Sequence, residues 1–152
     1  MKEKYINAVM YYGRDILISE NMKAEKNFVQ HGQTSTFEHS FNVACISIFL
    51  LNMFHIRADE RAVVRGALLH DYYLYDWHTE KTDKLHGFAH AGLALKNARR
   101  DFDISPVEED IIKKHMFPLN IKPPVYRESI AVCIADKLCA VMESLYLSSF
   151  LR

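Results

Sequence analysis

The 152-residue sequence has little of what marks the specialised protein classes: three cysteines, four prolines, five glycines, one tryptophan and no net formal charge. Cys45, Cys133 and Cys139 are an odd set with no Cys-x-x-Cys spacing. That argues against a disulfide framework or a thiolate zinc site and leaves them as small core residues. Nineteen basic residues balance nineteen acidic ones, so the positive field of a nucleic-acid binder is missing and a DNA or RNA polymer is not an expected partner. The longest apolar run, Val43 to Phe54, is broken by Ser47 and Asn52 and falls short of the roughly 20 residues a spanning helix needs. Met1-Lys2-Glu3-Lys4 leads into no unbroken apolar segment. No membrane partner is therefore expected, and a cytoplasmic location is the default expectation.

What is present is ordinary globular composition, 49% apolar and 25% charged, and a length that suits one domain over residues 1–152. The apolar spacing is helical. Ile6, Val9, Met10 and Leu17 mark a first helix, and the polar stretch from Glu20 to Thr34 reads as a loop or short helix. Ser35-Thr36-Phe37-Glu38 has the form of a capping box opening a helix that ends near Phe54. Asp59 can cap a third helix that carries His70-Asp71 and ends around Trp77. A polar loop, Thr79 to Leu85, precedes a fourth helix from about Phe88 to Phe102. Ser105-Pro106-Val107-Glu108 is a second capping box, for a helix that holds His115 and stops before Pro118. The last helix runs from about Arg127 to Leu147. No strand alternation stands out, so the expected fold is an all-α, single-domain helical bundle.

A buried carboxylate or imidazole needs a partner, so its neighbours three and four residues away are informative. Asp136 lies among Val132, Cys133, Cys139 and Ala140; Asp71 lies among Ala67, Leu68, Leu74 and Tyr75. Both carboxylates point into the core, where they require something cationic. His39, His70, His90 and His115 also sit on apolar faces. Imidazoles and carboxylates converging from several helices are what a divalent metal site requires. Six such residues allow two ions, with Asp71 bridging them and His90 and His115 serving the second.

The local contexts Glu38-His39-Ser40, Ala67-Leu68-Leu69-His70-Asp71 and Ile134-Ala135-Asp136-Lys137 resemble those of the HD-domain superfamily of metal-dependent phosphohydrolases. The resemblance implies a helical bundle of the HD-domain type, with His39, His70, Asp71 and Asp136 as metal ligands. His90 and His115 are similar to the extra histidines of its binuclear branch. Leu74-Tyr75-Asp76-Trp77-His78 and His115-Met116-Phe117-Pro118-Leu119 resemble segments of small bacterial members. Tyr72-Tyr73-Leu74 replaces the Ile-Gly-Lys that often follows His-Asp. The Gly-Tyr-Pro motif of the cyclic-dinucleotide phosphodiesterases and the paired acids of the alarmone hydrolases are absent, so no branch supplies the substrate.

The expected activity is hydrolysis of a phosphate ester by metal-activated water, with one or two divalent ions (Fe, Mn, Zn, Co or Mg) as cofactor and a small phosphorylated molecule as substrate. Asp71 holds metal at the reacting centre, Asp76 is a candidate general acid, and Lys137 and Lys114 are candidates to reach phosphate. Tyr72, Tyr73, Tyr75 and Trp77 could stack a base, which points to a nucleotide, or could be core. His78 and His86 lie in or near the polar loop where substrate would approach. Two rival readings are a mixed-valent di-iron oxygenase of the same superfamily and a non-catalytic, metal-stabilised ligand-sensing domain. A homo-oligomer is compatible with all of them.

Overall fold

A computed structural model describes residues 2–75 and 86–145. Asp76, Trp77 and His78 lie outside the described residues, as does the side chain of His86. In chain order the elements are α1 (Lys2–Tyr12), α2 (Arg14–Leu17), α3 (Glu20–Ala24), a 3-10 turn (Glu25–Asn27), β1 (Val29–His31), β2 (Thr34–Ser35), α4 (Thr36–Met53), α5 (Glu60–Leu69), α6 (His86–Asp101), α7 (Pro106–Lys114) and α8 (Arg127–Ser144). Among the described residues the fold is all-α apart from the β1–β2 hairpin.

Both capping boxes form. Ser35 Oγ accepts from Glu38 N at 3.2 Å while Ser35 N donates to Glu38 Oε2 at 3.0 Å; Ser105 and Glu108 repeat the exchange at 3.3 and 2.7 Å. Each box satisfies donors that a helix start leaves orphaned. Asp59 caps α5 by accepting from Ala62 N at 3.1 Å. One core joins Val43, Ala44 and Ile48 of α4, Val64, Ala67 and Leu68 of α5, Ile111 and Ile112 of α7, and Val132, Ala135 and Cys139 of α8. Gly66 lets α5 and α7 touch: a Cβ there would lie 2.5 Å from Ile111 Cδ1.

The structure corrects the sequence expectations at four places. The first helix is divided at Gly13 into α1 and α2. The Glu20–Thr34 stretch does hold a short helix, α3, but it also holds β1, joined to β2 through a Gly32-Gln33 turn in which Gly32 has φ 59°; strands of three and two residues are too short to show alternation, and the Gly-x turn was the available signal. The third helix ends at Leu69, not near Trp77, with His70 as its cap. Tyr72 N then bonds Leu69 O, Leu74 adopts φ 63°, and Glu25 Oε1 takes the Leu74 N–H at 3.0 Å. The last helix ends at Ser144, short of Leu147. Cys133 and Cys139 are buried and the three cysteines form no disulfide with one another, and among the described residues no helix is long and apolar enough to cross a membrane.

Candidate metal centre

Five segments bring the inward residues together: α4 supplies His39, the end of α5 supplies His70 and Asp71, α6 supplies His90, the cap of α7 is His115, and α8 supplies Asp136. All six are buried. Their contacts fall into two groups around one carboxylate. Asp71 Oδ2 lies 3.3 Å from His70 Nε2 and 3.9 Å from His39 Nε2, and both imidazoles face Asp136 Oδ1, at 3.7 and 3.2 Å. Asp71 Oδ1 lies 3.4 Å from His90 Nε2 and 3.4 Å from His115 Nε2, which are themselves 2.9 Å apart.

The far nitrogens show what the near ones present. His70 Nδ1 is 2.7 Å from Ala67 O and His115 Nδ1 is 2.9 Å from Ile112 O. A carbonyl can only accept, so each Nδ1 carries the proton, and in the neutral ring Nε2 turns a lone pair to the centre. His39 Nδ1 is 2.7 Å from Glu143 Oε2, whose other oxygen accepts from Asn42 Nδ2 at 3.2 Å. Backbone or carboxylate acceptors behind inward imidazoles are the usual support of metal-binding histidines.

Two buried atoms at the centre, His70 Nε2 and Asp71 Oδ1, have no hydrogen-bond partner among the described residues. Such groups are costly to leave unsatisfied. Ligand atoms about 2.1 Å from one ion stand roughly 3.0–3.4 Å apart, close to the spacings in both groups. His39, His70 and Asp136 form one cluster able to hold a metal, and His70, Asp71 and His115 another. The donor set fits a divalent ion.

Without metal, His39, His70, Asp71 and Asp136 stabilise one another as ions. Burial opposes charge on every one of them, but the Asp136 and Glu143 hydrogen bonds outweigh it at His39 and lift its pKa to about 9. Burial is likewise overcome at His70, held well above its ordinary value by Asp71 and Asp136. It is overcome again at Asp71, held well below the carboxylate range chiefly by His70, and at Asp136, held below it by His39 and His70.

Two supporting residues were missed in the sequence. Glu143 is seven residues beyond Asp136, two helical turns along the same inward face, and that spacing could have found it. Gln30 of β1 donates to Asp71 Oδ2 at 2.6 Å and accepts from the Tyr73 hydroxyl; nothing in a short hairpin announces that. Lys137 Nζ donates to His115 O at 2.7 Å and lies 3.8 Å from Asp136 Oδ2. Lys114 pairs with Asp110 at 2.6 Å. Tyr72 and Tyr73 are buried, and their hydroxyls bond Asp101 and Gln30, so neither offers an open face for stacking a base.

An all-helical bundle whose core gathers imidazoles around paired aspartates belongs to the His-Asp class of metal-site domains. The family model described as HD domain matches residues 36–141, and the chain belongs to that family. Gln30 and Glu143 lie outside the matched residues. Neither a curated protein nor a solved structure gives a match.

Proposed function

We propose that the protein is a metal-dependent phosphohydrolase acting on a small phosphate ester. The observation that carries this reading is Asp71, one carboxylate whose Oδ2 faces His39 and His70 and whose Oδ1 faces His90 and His115, as a hydrolytic pair of ions needs. Bound divalent ions supply a water of lowered pKa and positive charge for phosphoryl oxygens. The chain's part is to hold that charge in place before the ester arrives. Ala67 O, Ile112 O and Glu143 fix the imidazoles, and Gln30 fixes the Asp71 carboxylate. Asp136 and His90 keep the most solvent contact of the six, their side chains 12% and 7% exposed, so the ester would approach between α8 and α6. Lys137, beside Asp136, adds positive charge on that side, and Asp76 is the proposed general acid.

The test is a panel of nucleotides, sugar phosphates and cyclic dinucleotides with protein loaded anaerobically with manganese or iron. Release of phosphate or alcohol that a chelator abolishes supports the reading. The same two-group split around Asp71 would accommodate two irons, which is the observation favouring an oxygenase. Oxygen consumption with an organic substrate and no phosphoester turnover would replace the hydrolase by that reading. Retained metal with neither activity would favour a sensing domain.

A further inference from the structure

Helix α8 has its chemistry reversed. Its acids Glu128, Asp136 and Glu143 are buried, while Ile130, Ile134, Leu138, Val141 and Leu145 along and just beyond it are 45–61% exposed. At 100° per residue these five fall within an arc of about 80°, a straight outward stripe. The one charged side chain between Glu128 and Glu143 on the exposed side is Lys137, and its ammonium is turned back to His115 O. A solvated helix face is normally polar, and a helix apolar on its outside is normally covered.

We infer that this stripe is the contact face of a two-fold homodimer in which α8 packs antiparallel against α8 of a second copy. The spacing is nearly palindromic. A two-fold axis at the level of Asp136 sets Ile134 against Leu138, Ile130 against Val141, and Arg127 against Leu145, so one surface complements itself as an isologous interface requires. Charge agrees with that direction. Arg127 is exposed at the N-terminus of α8 and the last turn carries no basic residue; antiparallel pairing brings each Arg127 to the partner's helix C-terminus, the negative end of its dipole. With Val125, 69% exposed just before the helix, the stripe leaves on the order of 500 Å² of apolar surface in water, the larger part of the ~800 Å² one partner contributes to a stable interface. Depletion of charge at its centre is the composition of an interface core.

The test is sedimentation equilibrium of the full chain at about 100 µM, with Ile134→Arg and Arg127→Glu alongside. The wild type should be a dimer. Ile134→Arg, at the exposed centre of the stripe, should be a monomer with unchanged helical circular dichroism and metal content, and Arg127→Glu should weaken the dimer at least about tenfold. A monomeric wild type, as expected if another partner or the chain's own residues cover the stripe, would overturn the inference. So would a dimer that Ile134→Arg leaves intact. Neither readout depends on the enzymatic activity.

Discussion

Residue by residue, the centre depends on which imidazole nitrogen carries a proton, and that is decided by groups behind the rings. Glu143 holds His39 through Nδ1, so Glu143→Gln removes a charge-assisted bond without changing shape. Metal affinity should fall roughly 10- to 100-fold in a competition titration against a chelator, with unchanged circular dichroism. Wild-type affinity in that variant would remove Glu143 from the site. Asp71→Asn, which replaces the carboxylate shared by both imidazole pairs with a neutral amide, should bind at most one ion per chain by elemental analysis. The six inward residues were legible because each has apolar neighbours one helical turn away, a setting that charged or imidazole side chains enter only with a partner. Gln30 was not legible, since its role depends on a hairpin folding back over Asp71.

Among the elements, the contact between α5 and α7 matters most, because α5 ends in His70 and α7 in His115. Gly66→Ala would push a methyl onto Ile111 and force the two helices apart. The expected cost is about 1–3 kcal/mol, seen as a lower melting temperature, with weaker metal retention because His70 and His115 both shift. A variant melting like the wild type would show that the helices yield freely. The capping boxes fixed the starts of α4 and α7 in the sequence because their signal is local and chemical. The end of α5 was misread because Tyr72 and Tyr73 continue the apolar pattern after the helix has stopped. Their burial comes from a turn stabilised by Glu25, 49 positions away from Leu74, which no local pattern encodes.

Across the whole molecule, the metal-free fold should be pH-sensitive in one direction. His39 has its pKa raised to about 9, so the stability it contributes is complete below about pH 6.5, its unfolded value, and is lost as pH rises through 9. Glu25, raised to about 8 mainly by burial, acts alike: folding favours its neutral carboxyl, and that contribution is lost as pH rises from 4.5 through 8. Chelator-treated protein should therefore melt several degrees lower at pH 9 than at pH 6.5, and Glu25→Gln should flatten part of the slope. A melting temperature that rises over this interval would contradict the charge assignments. The most direct test of the two-group centre is the number of ions per chain after anaerobic loading with manganese or iron and removal of excess. Two ions in the wild type, reduced toward one in His115→Ala, is the predicted result; a single ion in both would contradict it.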